Sequence, residues 1–394
     1  MRVQNILRQE LMTAIEEFRA IGAAGLVLDA RTGELLAMVS LPDFNPNNPG
    51  LASADSRFNR VTQGVYEMGS TFKLFTAAMA LDSGTTTLNG GYDASKPIRV
   101  ARHTIRDYRA KNRWLSVPEI LVHSSNIGAA EMALDVGGQL QRIYLEQLGL
   151  LEPATIELPE VGVPLVPSPT QWRDVHTMTI GFGHGISVSP LQLASGVAAV
   201  VNTGVFRRPT VIRREGPDES GSDERGPGED GAEEAEPDGD GRRVISPETS
   251  RTMCALMRLI VLSGTGRNAD VPGLRIGGKT GTAEKIVGGR YSRNARISSF
   301  IGAFPIDAPR YVVLAMIDEP QGNASTHFYA TGGWVAAPVI RSVSQRIAPL
   351  LGVEPKPLDG DDEAPQNVKD PGMLLAVAMK QAMADAWGRR LASN

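Results

Sequence analysis

At 394 residues the chain has room for two to three domains of about 150 residues each. Its 42% hydrophobic, 21% charged and 5% aromatic content is ordinary for a globular protein and excludes a fibre or a wholly disordered chain. The net charge is −4, yet residues 215–241 hold twelve acidic residues against the one basic Arg225, so the rest is mildly positive without any Lys/Arg block that would call for nucleic acid.

Residues 1–20 carry Ile6, Leu7, Leu11, Ile15 and Phe18 at helical spacing. Their interspersed charges predict neither a signal peptide nor an anchor. Two β-rich runs follow, 25–29 and 34–39, joined by Ala30-Arg31-Thr32-Gly33, a loop suited to a hairpin. From about 60 to 205 the pattern is mainly helical, with helices predicted at 71–81, 118–122, 127–134 and 139–148. Ser189-Pro190 supplies an N-cap and a first-position proline for a helix reaching about 201. Residues 175–206 lack Asp, Glu, Lys and Arg, but five glycines, Pro190, two histidines and Asn202 make them too polar to span a bilayer.

Residues 215–243 are an Asp/Glu/Gly/Pro tract with hardly an apolar side chain to offset the entropy of ordering, and read as a disordered surface insertion. Ser246-Pro247 repeats the helix start, for a helix over 249–262 that takes in Cys254, the single cysteine, as core filler. One cysteine excludes an internal disulfide and any thiolate metal cluster, and the five histidines show no ligand spacing. Strands are predicted at 274–283, 297–304 and 311–318, the last two close enough in sequence to be antiparallel neighbours. A helix over about 334–347 follows. A polar linker then leads to a Met/Ala-rich helix at 373–387.

Two chemistries compete for one lysine. Gly273-Leu274-Arg275-Ile276-Gly277-Gly278-Lys279-Thr280 matches a phosphate-binding loop and, alone, suggests a nucleotide-binding protein. That mechanism needs a helix N-terminus after the lysine, and Thr280-Gly281-Thr282 followed by Gly288-Gly289 does not predict one. The other reading starts at Ser70-Thr71-Phe72-Lys73, where Gly69 ends a loop and a helix begins. Lys73, three residues on, shares a face with the Ser70 hydroxyl. A lysine acts as base to a serine when burial and a second cation depress its pKa, and Lys279 would be that cation. Ser124-Ser125-Asn126 offers a hydroxyl relay and an amide. Lys279, Thr280, Gly281 and Thr282 lie on a strand that could hold a peptide's carboxylate. S-x-x-K alone is expected on the order of once in a chain this long, and Ser292-Arg293-Asn294 is a second S-x-N; order and spacing carry the weight.

With these motifs, and with Tyr66-Glu67-Met68-Gly69, Gly183-His184-Gly185-Ile186-Ser187-Val188-Ser189-Pro190-Leu191-Gln192-Leu193, Val244-Ile245-Ser246-Pro247-Glu248 and Gly278-Lys279-Thr280-Gly281-Thr282-Ala283, the chain resembles the transpeptidase domain of class B penicillin-binding proteins, closest to the septal, cell-division type. The resemblance covers about 20–350. The anchor and pedestal usual before this domain have no counterpart in the sequence, and Met68 stands where proline is common.

The resemblance implies an α+β fold of the penicillin-binding/serine β-lactamase type: a five-stranded antiparallel sheet flanked by helices, beside a mainly helical lobe. The chain then divides into an N-terminal helix (1–24) packing on the sheet, a transpeptidase domain (25–350) with its helical lobe at about 60–205 and the insertion at 215–243, and a linker with a C-terminal helix (351–394); the resemblance explains neither the insertion nor that last helix. Ser70 would attack the D-Ala-D-Ala carbonyl of a peptidoglycan stem peptide and form an acyl-enzyme, with Lys73 as base and Ser124 as proton relay. The Ser70 and Thr282 N–H groups would form the oxyanion hole. Asn126 would contact the substrate amide, and Lys279, Thr280, Gly281 and Thr282 the terminal carboxylate. The same resemblance implies β-lactams as covalent ligands of Ser70, wall-synthesis and division proteins as partners, the periplasmic face of the inner membrane as location, and no cofactor or metal.

Water as acceptor would make the protein a carboxypeptidase. A β-lactamase of the E-x-x-x-N kind is not indicated, since that element is missing between Asn126 and Thr170. A penicillin-binding sensor without turnover is the third alternative, and intact Lys73 and Ser124 speak against it. His184, in a glycine-rich turn, reads as lining the cleft.

Overall fold

The computed structural model describes residues 1–100, 103–213, 241–288 and 290–356. Nearly all of the acidic tract and the predicted 373–387 helix lie outside these. One five-stranded antiparallel sheet organises the fold. Its strands are β1 (Gly22–Asp29), β2 (Leu35–Leu41), β3 (Gly277–Val287), β4 (Arg290–Phe304) and β5 (Tyr311–Asp318), in the order β2-β1-β5-β4-β3. These are the five expected strands, with β5 at its expected bounds and the others shifted or extended at one or both ends. β1 begins three residues before the predicted run, β3 continues past Ala283 and β4 starts at Arg290. The Ser292-Arg293-Asn294 copy of S-x-N therefore falls within β4, beside an irregularity in its pairing with β3.

Both faces of the sheet are covered, so β1 and β5 are buried at every position and read as unbroken apolar runs. Period-two alternation divides them. Leu26, Leu28, Val312, Leu314 and Met316 face a core shared with the helical lobe, while Val27, Val313, Ala315 and Ile317 face helices α1 (Arg2–Phe18) and, near the end of the chain, Ala336–Ile347. α1 buries Ile6, Leu7, Leu11, Ala14 and Phe18 in that outer layer; Ile15, expected on this face, is only partly covered. The turn from β1 to β2 is held by Asp29, whose Oδ1 accepts from the N–H of Arg31 and Thr32, and closes at Gly33 with φ 76°.

The lobe between β2 and β3 holds α2 (Lys73–Asp82), α3 (Val117–His123), α4 (Asn126–Val136), α5 (Gly138–Gln147), α6 (Asp174–Ile180), α7 (Pro190–Val201) and α8 (Pro247–Ser263). Ser189 and Ser246 cap their helices as predicted, accepting from Gln192 and Thr249 N–H. α6 was not expected. Nor were two small ribbons, Gly91–Asp93 with Trp114–Ser116 and Ile98–Val100 with His103–Ile105, which interrupt the lobe. Cys254 is buried in α8. No helix among the described residues is long and apolar enough to cross a membrane.

Candidate active site

Ser70 lies in a single 3-10 turn, Gly69–Phe72, that runs directly into α2. Gly69 takes φ 53°, and the Thr71 hydroxyl locks the turn by donating to Met68 O at 2.9 Å. The turn is wedged against β3: a Cβ at Gly69 would lie 2.8 Å from Thr282 O, and one at Gly281 would lie 2.7 Å from Met68 O. This close approach sets the backbone of Ser70 beside that of Thr282, the pair expected to donate to an oxyanion.

Lys73, 1% exposed, sits where α2 starts, with Nζ 2.7 Å from Ser70 Oγ, 2.9 Å from Ser124 O, 3.1 Å from Ser124 Oγ and 2.7 Å from Asn126 Oδ1. The Ser124 carbonyl faces the lysine because Ser124 ends α3 in the left-handed conformation, φ 56°, and Ser125 then caps α4. Ser124 O and Asn126 Oδ1 can only accept. They take the two N–H bonds of a neutral amine and leave its lone pair for a hydroxyl proton. Burial drives the Lys73 pKa well below its ordinary value, the Lys279 cation lowers it further, and Asp107 pulls the other way.

Lys279 is wholly buried on β3. Its Nζ donates to Ser124 Oγ at 2.9 Å and to Thr280 O at 3.2 Å, so one hydroxyl stands between two lysines. Burial lowers the Lys279 pKa to about 7. Thr280 Oγ1 is 2.7 Å from Thr265 Oγ1, and Thr282 Oγ1 accepts from Gly332 N–H at 3.1 Å. Ser70, Lys73, Ser124, Asn126, Lys279, Thr280, Gly281 and Thr282 thus converge between lobe and sheet. Lys279 and Thr280 lie inside a strand and not at a helix N-terminus, which removes the phosphate-loop reading. Among the described residues no group of acidic, histidine or cysteine side chains could hold a metal ion.

Three features escaped the sequence. Asp107 accepts from Ser125 Oγ at 2.7 Å and from the N–H of Asn126 and Ile127 at 2.6 and 3.0 Å, anchoring the start of α4. Thr265 backs Thr280 from the turn after α8. Arg109, from the lobe, lies 5.7 Å over the ring of Tyr329, which stacks on Trp334 from the far side of the cleft. None has a local signal, because each acts on a partner distant in sequence. His184 is engaged otherwise than as a base: its Nδ1 faces Glu67 Oε2 at 3.2 Å, with its ring beside Phe182 and Tyr291.

A helical lobe and a five-stranded antiparallel sheet meeting at a half-buried serine beside a buried lysine define the class of active-site-serine, penicillin-recognising proteins. Within it, the chain belongs to the penicillin binding protein transpeptidase domain family, whose model matches residues 23–345. It is 44% identical over 364 residues to the probable peptidoglycan D,D-transpeptidase FtsI of Caulobacter vibrioides, covering 90% of this chain and 58% of the relative. It is 30% identical to the peptidoglycan D,D-transpeptidase FtsI of Escherichia coli K12, covering 92% and 57%. The apo TP domain of Burkholderia pseudomallei penicillin-binding protein 3 superposes with a TM-score of 0.75 at 30% identity, over 90% of this chain and 96% of that one. The chain spans a little over half the length of these curated relatives.

Proposed function

We propose that the chain is the catalytic part of a penicillin-sensitive peptidoglycan D,D-transpeptidase of septal wall synthesis, acting at the periplasmic face of the inner membrane. Neutral Lys73 takes the Ser70 proton as Oγ adds to the penultimate D-Ala carbonyl. The Ser70 and Thr282 N–H groups hold the oxyanion. The proton returns through Ser124 to the departing D-Ala nitrogen, leaving an ester on Ser70, which the amine of a second stem peptide resolves into a crosslink. Asn126 orients the donor peptide's amide. Lys279, Thr280 and Thr282 hold its carboxylate, with Gly281 leaving room for the peptide backbone. A β-lactam follows the same first step and stays, since its leaving group is tethered.

One observation carries this reading: Lys73 Nζ lies 2.7 Å from Ser70 Oγ, with the acceptors Ser124 O at 2.9 Å and Asn126 Oδ1 at 2.7 Å beside it. The test is intact mass after incubation with benzylpenicillin, for the parent and Ser70→Ala. One penicillin per parent chain, stable for hours, with none on the variant, is expected. Loss of the adduct within minutes would mean hydrolysis by water, and no adduct would remove the acyl-serine mechanism.

A further inference from the structure

The Glu67 side chain, only 11% exposed three residues before the nucleophile, gathers donors from two other segments. Its Oε1 accepts from Gly185 N–H at 2.8 Å and from the Tyr291 hydroxyl at 2.9 Å, and its Oε2 faces His184 Nδ1 at 3.2 Å. The His184 ring lies between Phe182 at 5.3 Å and Tyr291 at 5.9 Å. Burial pushes the Glu67 carboxyl up, but His184, the Gly185 N–H and the Tyr291 hydroxyl outweigh it and hold the pKa below its ordinary value.

Three chain segments meet here. Glu67 leads into the Ser70 turn, Gly185 and His184 belong to the glycine loop after α6, and Tyr291 stands on the outer part of β4, opposite Ile286 of β3. The glycine loop also grips the turn through its backbone. Gly69 N–H donates to Gly183 O at 3.2 Å, and a Cβ at Gly183 would lie 2.1 Å from Gly69 O. The turn is therefore held from one side by the loop and from the other by β3. The Glu67 carboxylate joins the loop to Tyr291 of β4, the strand paired with β3, and a partly buried charge facing several donors has strong reason to keep them.

We propose that Glu67, Tyr291 and His184 form a clasp that positions the Ser70 turn against β3 for acylation, an inference resting on the acyl-serine reading above. These are positioning residues. Acylation requires the Ser70 and Thr282 N–H groups at a fixed separation around one oxyanion, and the clasp sets that separation through the turn and the β3–β4 hairpin together.

The test separates the acylation rate constant from the dissociation constant of the noncovalent complex, using a chromogenic β-lactam in rapid mixing, with melting temperature alongside. Tyr291→Phe is expected to slow acylation about tenfold and Glu67→Ala about a hundredfold, the scale of loss that an ångström of misplacement brings, with binding and melting near parental values. Glu67→Gln, which keeps an oxygen for Gly185 and Tyr291, should recover most of the rate. Tyr291→Phe should add little in the Glu67→Ala background. A parental acylation rate constant in Tyr291→Phe overturns the clasp, as does a loss shared equally between rate, binding and melting. A parent that never acylates while Ser70→Ala behaves identically overturns the acyl-serine reading, and the clasp with it.

Discussion

Lys73 and Lys279 share the Ser124 hydroxyl and need opposite charge states to act as proposed. Lys73 must be neutral to accept a proton, so acylation should rise as pH climbs through its depressed pKa. Lys279 must be charged to hold a carboxylate, so binding should weaken as pH climbs through about 7, where burial has brought its pKa. Acylation efficiency, which reports the free protein, should therefore be bell-shaped in pH with an alkaline limb near 7. Lys279→Arg replaces the ammonium by a group that keeps its proton, and should move that limb beyond the accessible range. A pH series of β-lactam acylation checks this. An alkaline limb unmoved in Lys279→Arg assigns it to some other group.

At the scale of elements, the start of α4 is held by its N-cap Ser125 and also by one side chain outside the motifs. Asp107 accepts from Ser125 Oγ and from two N–H groups at the first turn, and its charge opposes the depression of the Lys73 pKa. The two effects separate by substitution. Asp107→Ala should cost about 1–2 kcal/mol of stability through the lost cap and also shift the acid limb of acylation to lower pH. Asp107→Asn, which keeps an acceptor oxygen but no charge, should shift the limb while largely sparing the melting temperature. A limb unmoved in both variants rejects the electrostatic part.

The contrast with Ser189 and Ser246 explains what the sequence disclosed. Those caps act three residues away and are legible as Ser-Pro pairs, whereas Asp107 reaches across 18 to 20 residues from a loop. β3 and β4 were underestimated for a similar reason. Past Ala283 their pairing is reinforced by Lys285, whose ammonium meets Asp318 at 2.8 Å and Glu319 at 2.7 Å at the end of β5, a contact without sequence periodicity. The motif residues were readable because S-x-x-K is a helical relation within one turn. Their convergence depended on the lobe folding back onto β3.

Across the whole molecule, the apolar faces of the sheet account for its two layers, but the closing of the outer layer depends on charge. Asp307, in the connection between β4 and β5, has a fully buried side chain. Its Oδ2 meets Arg275 Nη1 at 2.8 Å and Lys356 Nζ at 2.5 Å. The carboxylate thereby ties the segment entering β3 and the last described residues to the turn between the interior strands β4 and β5, while Lys356 N–H donates to Gly273 O. The Arg275 side chain is largely buried while that of Lys356 is over a third exposed, so removing the carboxylate should cost toward the lower end of the about 3–5 kcal/mol that breaking a buried pair brings. Asp307→Ala should lose stability on that scale in denaturant unfolding. Asp307 is not among the groups surrounding Ser70, so the folded fraction should still take up one penicillin at the parental rate. A variant as stable as the parent would show that the outer layer closes on apolar packing alone. A variant of normal stability but slowed acylation would instead connect this far end of β4 to the cleft through the strand itself.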